Sequence, residues 1–135
     1  MTSKGTAAEG ILLKMLLQNG IEAEHGSPSR PGDIIVPPNV IIEVKDPKGL
    51  SYSFKQHSGK GEAQWKALKS KKEKFQWLEI FYVIRFQRRI WKYFEFPDSA
   101  DPLKMKFGLP IEQFLEIMRN KQLSFVNEGV VYNRN

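Results

Sequence analysis

Two apolar runs, Ile34-Ile35-Val36 and Val40-Ile41-Ile42, stand three residues apart across Pro37-Pro38-Asn39. β-Branched residues of this density read as buried strand, and the Pro-Pro-Asn break reads as the turn of a hairpin. The predicted strands are Asp33 to Val36 and Val40 to Lys45. A three-residue loop sets Val36 opposite Val40, and counting outward sets Asp33 opposite Glu43. Side chains two apart on a strand share a face, so Glu43 and Lys45 point one way while Ile42 and Val44 point the other. The hairpin therefore gathers Asp33, Glu43 and Lys45 on one face of what is otherwise core.

Opposed residues on one face have Cβ atoms roughly 4.5–5.5 Å apart. Two unpaired carboxylates at that separation repel, and one stays protonated unless a cation lies between them. Charges set among Ile and Val are costly unless paired or bound to an ion. Two arrangements answer this. Lys45 quenches the pair as a structural salt bridge, or both carboxylates hold a hard, oxygen-loving divalent ion, Mg²⁺ or Mn²⁺, with water completing the shell. In the second case Lys45 would orient or activate the attacking water, or steady a phosphate. Such an ion lowers the pKa of water and polarises a phosphodiester.

The remaining chain supplies few other candidates for chemistry. Residues 6–19 read as an amphipathic helix through Ala8, Ile11, Leu12, Met15 and Leu16, with Gly20 as its stop. Residues 21–25 alternate like a half-buried strand, and HGSPSRPG is a loop. Residues 46–61 show no period and contain Gly49, Gly59 and Gly61, which predicts a mobile loop. A helix follows over 62–75, then strands WLEIFYVIRF and IWKYFEF around Gln87-Arg88-Arg89, and a last helix over 110–120. The fold class is α/β: a single mixed-sheet domain over 1–135 with flanking helices, its core about 3–96 and a C-terminal helix and tail over 97–135.

Charge is distributed unevenly. Residues 1–45 hold four Lys/Arg against five Asp/Glu, residues 46–95 hold twelve against five, and residues 96–135 hold five of each. The excess behind the net charge of +6 thus follows the acidic pair directly. A basic field beside carboxylates suits a polyanion handled through a metal, although a solvated surface gives the same count. Lys48, Lys55 and Lys60 in the loop, Lys69, Lys71, Lys72 and Lys74 on the helix, and Arg88 and Arg89 at the turn are the candidate DNA contacts. There is no Cys, which excludes thiolate chemistry and zinc held by Cys. No apolar run approaches the ~20 residues of a membrane helix, no secretory h-region opens the chain, and no G-x-x-x-x-G-K-[ST] loop supports a nucleotide cofactor. A cytoplasmic location is the expectation.

The pattern D-(x9)-E-x-K on adjacent strands, after a helix bearing a Glu, resembles the PD-(D/E)xK nuclease superfamily. Lys4-Gly5 and Ala8-Glu9, Gly26-Ser27, Gly32-Asp33-Ile34-Ile35 and Ile42-Glu43-Val44-Lys45 extend the match, followed by a basic helix and the pair ending in IWKYFEF. Over residues 3–96 this is similar to the archaeal-type Holliday junction resolvases. The resemblance implies a restriction-endonuclease-like core, with Asp33, Glu43 and the Val44 carbonyl as metal ligands and Lys45 as catalytic lysine. It further implies that Glu9 completes the metal site and that the loop serine falls on Ser27, with Ser29 the competing position. It also implies Mg²⁺-dependent cleavage of four-way junction DNA by a homodimer, which needs paired symmetric cuts. Phe94, Phe96, Phe107 and Phe114 are candidates for burial in the dimer.

The plainer roles are also defined. Thr6 to Glu9 matches a capping box, with Glu9 reaching back to the N-cap. Gln64 reads as a solvated helix residue, though Gln there matches a helix motif of several nucleases in the superfamily. Trp65 reads as core, and His25 and His57 as isolated loop or surface residues. A nuclease for duplex ends, nicks or flaps and a non-catalytic DNA-binding module are the rival functions.

Overall fold

The structure is a computed structural model, described over residues 4–27 and 33–127. Strands β2 (Ile34–Val36) and β3 (Val40–Lys45) form the expected hairpin, with Val36 opposite Val40, Ile35 opposite Ile41 and Ile34 opposite Ile42. The ladder runs one step further, since the Asp33 N–H donates to the Ile42 carbonyl at 2.9 Å. Ile34, Val36, Val40, Ile42 and Val44 face one layer of core, and Ile41 faces the other. By alternation Glu43 and Lys45 share the Ile41 face.

The hairpin sits within a six-stranded sheet of order β1-β2-β3-β5-β6-β8. Its other strands are β1 (Glu24–His25), β5 (Glu79–Phe86), β6 (Ile90–Glu95) and β8 (Leu109–Pro110). β3 and β5 run parallel, which requires a long crossover, and α2 (Gln56–Lys74) supplies it. The other neighbours are antiparallel. β5 is central and covered on both faces, so Ile80 to Ile84 is apolar without a break. Gln87 and Arg88 both take positive φ in the tight turn from β5 to β6.

α1 (Lys4–Gln18) and α3 (Ile111–Asn127) cover one face of the sheet. Ala8, Leu12 and Leu16 from α1 meet Ile111, Phe114, Leu115 and Met118 from α3 over the even-numbered β3 residues. Gly20, at positive φ, closes α1: its N–H bonds the Leu17 carbonyl, and Ile21 N–H bonds the Leu16 carbonyl. This pair of hydrogen bonds is a Schellman cap, and the buried Ile21 and Leu16 supply its hydrophobic contact. The opposite face is filled by Trp65 and Leu68 of α2 together with Phe54, Tyr82, Ile84 and Phe86. The architecture is a mixed sheet with flanking helices, as expected, and Trp65 is core.

Several boundaries differ from expectation. The strand predicted over 21–25 shrinks to β1, because Ile21 serves the helix cap. The segment 46–61 is not one loop: β4 (Ser51–Tyr52) pairs with β7 (Leu103–Lys104), Phe54 is fully buried, and α2 already begins at Gln56. Neither short strand has enough residues to show a period, and the partners lie about fifty residues apart in sequence. α3 runs on to Asn127 because it docks. Gln122 donates to the Glu22 and Pro37 carbonyls and accepts from Glu22 N–H. Of the four Phe assigned to a dimer, Phe114 is fully buried in the core and Phe94 and Phe96 pack partly against the α2 layer. Phe107, 70% exposed at the end of the 3₁₀ turn Met105–Phe107, is the one of the four left open to solvent.

Candidate active site

Asp33 precedes β2, and its Oδ2 accepts the Val44 N–H at 2.7 Å. That bond ties the carboxylate to the backbone of β3, beside Glu43. Glu43 is 2% exposed, on a strand paired with β5, where Tyr82 stands opposite it. Burial, then the neighbouring Asp33, pushes the Glu43 carboxyl up to about 8, against the lowering effect of Lys45. A carboxylate satisfied by a salt bridge is held low instead. Lys45 Nζ stands 3.5 Å from Glu43 Oε2 and donates to Gln64 Oε1 at 2.6 Å. Burial acts to lower the Lys45 ammonium, but Glu43, Tyr52 and Asp33 outweigh it, and its pKa is raised. Lys45 thus stands beside Glu43 and opposes its upward shift, but burial and Asp33 outweigh it.

Glu9 comes to this group from α1. The helix begins at Lys4, so Thr6 lies inside it and Glu9 is beyond the third position that a capping box requires. Glu9 Oε2 instead meets His25 Nδ1. Its pKa is raised, by burial first and also by Asp33, with His25 opposing. Glu9 thus interacts with Asp33 and Asp33 with Glu43, a row with Asp33 at its centre. His25 is not isolated, as its spacing suggested. β1 pairs it with Ile34, and the Gly26 N–H bonds the Asp33 carbonyl at 2.9 Å. Ser27 is exposed in the loop that follows. Ser29 lies outside the described residues, and nothing is described of the His57 side chain.

Among the described residues, no group of three or more His, Cys, Asp and Glu is arranged to hold a metal by itself. The donor set present is oxygen only: the opposed Asp33 and Glu43, with backbone carbonyl close by. Mg²⁺ is commonly bound by one or two carboxylates with water and substrate phosphate completing its shell, so the residues fit such an ion. The Tyr82 hydroxyl, buried near Glu43, has no hydrogen-bond partner within the protein.

Beyond Lys45 opens a cleft of about 460 Å³, lined by Lys45, Tyr52, Ser53, Gln56, Lys60 and Gln64. Gln64 is thus a site residue rather than a merely solvated one, through its bond to Lys45. Asp46, next in sequence, is gripped by Arg85 through bonds of 2.9 and 2.7 Å, which fixes the chain as it leaves β3. The basic residues divide. Lys60 lines the cleft, and Lys48 and Lys55 are exposed in the segment that leads to it. Lys71, Lys72 and Lys74 occupy the last turn of α2, where Lys72 reaches the Leu78 carbonyl at 3.5 Å. Eight residues of helix separate Lys72 from Gln64, about 12 Å along the axis. Lys69 lies over the Trp65 ring, and Arg88 and Arg89 sit at the turn from β5 to β6.

A mixed sheet of this order, helices on both faces and carboxylates at the hairpin, defines a restriction-endonuclease-like fold. The solved structure of Hjc, a Holliday junction resolvase from the archaeal hyperthermophile Archaeoglobus fulgidus, is similar to it. The two share 22% sequence identity with a TM-score of 0.63, over 84% of this chain and 97% of that one. No family model matches the sequence, and no curated protein does.

Proposed function

We propose that this chain is a metal-dependent DNA endonuclease that cleaves four-way junctions by phosphodiester hydrolysis. The observation that carries this reading is Glu43, a buried carboxyl set against Asp33 and raised in pKa despite Lys45 at 3.5 Å, on a fold similar to that of a Holliday junction resolvase. Asp33 and Glu43 would hold Mg²⁺, or Mn²⁺ as a substitute, with the Val44 carbonyl available and Glu9 at the outer end of the row. Bound there, the ion would supply positive charge at the scissile phosphate and lower the pKa of water. With a raised pKa, Lys45 is an ammonium at neutral pH. Its contribution is therefore charge and a donated hydrogen bond at the phosphate, not removal of a proton. Burial of Glu43 and its backbone-tied neighbour Asp33 keeps the acceptor oxygens fixed before substrate arrives.

The test is labelled four-way junction, linear duplex and flap DNA, each with Mg²⁺ or EDTA. Junction cleavage with Mg²⁺ and none with EDTA is expected. Cutting confined to ends or flaps transfers the chain to another nuclease class, and binding without cutting makes it a DNA-binding module. Symmetric resolution calls for a homodimer. Sedimentation at micromolar concentration is expected to give two copies, and a mixed dimer with one Glu43→Gln subunit to nick without resolving. A monomer that makes both cuts at full activity overturns the resolvase reading.

Phosphate binding by the α2 lysines predicts a salt effect. Reversing Lys71, Lys72 and Lys74 to Glu is expected to weaken binding to every DNA shape. The slope of log K against log salt should flatten by about 0.9 for each phosphate no longer neutralised. An unchanged slope would put the DNA on Lys48, Lys55, Lys60 and the Arg88-Arg89 turn instead.

A further inference from the structure

Lys45 ends a strand on a flexible four-carbon stem, and a compact ammonium on such a stem has no direction of its own. Two side chains outside the D-(x9)-E-x-K pattern meet it. Gln64 accepts its hydrogen bond at 2.6 Å, and the Tyr52 ring centroid lies 5.5 Å from Nζ, with the hydroxyl in polar contact with the ammonium. We infer that Tyr52 is a positioning residue for Lys45, and that Gly61 is the residue that lets its hydroxyl reach. The inference rests on the nuclease reading and deepens it.

Tyr52 is itself well fixed. β4 is paired with β7, where Tyr52 stands opposite Leu103, and its ring meets Phe54 edge-on at 5.0 Å. Phe54 is fully buried and packs edge-on against both Tyr82 and Trp65. The helix comes unusually close at this point. Glu62 N–H bonds the Phe54 carbonyl at 2.8 Å, and a Cβ at Gly61 would stand 2.8 Å from that same carbonyl oxygen and overlap the Tyr52 hydroxyl outright. The hydroxyl thus occupies the space that a side chain at position 61 would take. An ammonium has three hydrogens to donate. Gln64 takes one, the Tyr52 ring lies beside the ammonium, and Nζ stands 3.5 Å from Glu43 Oε2, toward the carboxylate pair where the scissile phosphate would be held. Tyr52 was invisible in the sequence because β4 is two residues long and its segment has no period.

Tyr52→Phe keeps the ring and its packing and removes only the hydroxyl. At saturating junction its cleavage rate is expected to fall about 10–100-fold, the range typical of partners that orient a site's working groups. The junction Kd should stay within twofold and the urea midpoint should not move. In protein labelled with [¹⁵N]lysine and free of divalent metal, the Lys45 side-chain signal should shift, which a change elsewhere in the fold would not produce. Gly61→Ala should reproduce the rate loss in wild type and add little to it in the Tyr52→Phe background; if Gly61→Ala does not fold, Tyr52→Phe decides. Cleavage by Tyr52→Phe within twofold of wild type, a loss expressed in Kd alone, or an unmoved Lys45 signal would each overturn the inference. A wild type that cuts no DNA overturns the nuclease reading instead, while the Lys45 signal still reports whether Tyr52 holds the ammonium.

Discussion

Glu43→Gln and Asp33→Asn are each expected to abolish junction cleavage, by about 10³-fold or more, while junction binding stays near wild type or tightens. Loss of a metal's charge stabilisation removes several kcal/mol from the transition state, and each 1.36 kcal/mol is about tenfold in rate. Both substitutions keep shape. Asn at position 33 retains an oxygen for the Val44 N–H that Asp33 Oδ2 accepts at 2.7 Å, so β3 keeps its place. Gln at position 43 fits the same buried volume. Neither adds a charge that would repel the polyanion: Asn removes the Asp33 carboxylate, and Gln matches in shape the protonated carboxyl that Glu43 carries below about pH 8 without metal, so DNA affinity should not suffer. Gel-shift and single-turnover cleavage on the same junction separate the two effects. Cleavage within threefold of wild type for both variants would show that neither carboxylate holds the metal.

The hairpin was readable because two constraints agree on it. Continuous Ile and Val runs mark both strands as buried, and a three-residue turn fixes the register, so Asp33 had to fall beside Glu43. β5 was readable from Ile80 to Ile84, where a strand covered on both faces needs apolar residues at every position. The rest of the site depends on contacts that carry no local pattern. His25 reaches Glu9 across sixteen residues, and Gln64 reaches Lys45 across nineteen. Tyr52 owes its place to a strand partner, Leu103, that appears only after β6 has turned back. The Phe residues show the same limit in another form. Phe107 and Phe114 are alike in sequence, but seven residues carry the chain from an exposed 3₁₀ turn to the buried face of α3.

Without divalent metal, the folded protein should lose stability as pH rises from about 5 to 8, and Glu43→Gln should remove most of that loss. The Glu43 carboxyl is raised from 4.5 to about 8 by burial and by Asp33. Between those values the folded state holds a proton that the unfolded state has released, so stability falls with rising pH, at most about 1.4 kcal/mol per unit for one group. Below pH 4.5 both states are protonated and the contribution is whole; above pH 8 it is gone. The full span is on the order of 5 kcal/mol as an upper bound. Glu9 is raised too and adds to the same slope, so the difference between wild type and Glu43→Gln isolates Glu43. Urea midpoints in EDTA at pH 5 and pH 8 measure it, with the variant the more stable protein at pH 8. Mg²⁺ at pH 8 should then restore wild type and leave the variant unmoved, because an ion that binds only the folded state stabilises it. The opposite outcome has equally definite content. If Glu43 and Lys45 form a structural bridge, Gln leaves a buried ammonium less well paired and costs about 1–3 kcal/mol at every pH in this range. The sign of the change at pH 8 therefore decides whether the strand charges serve an ion or the fold.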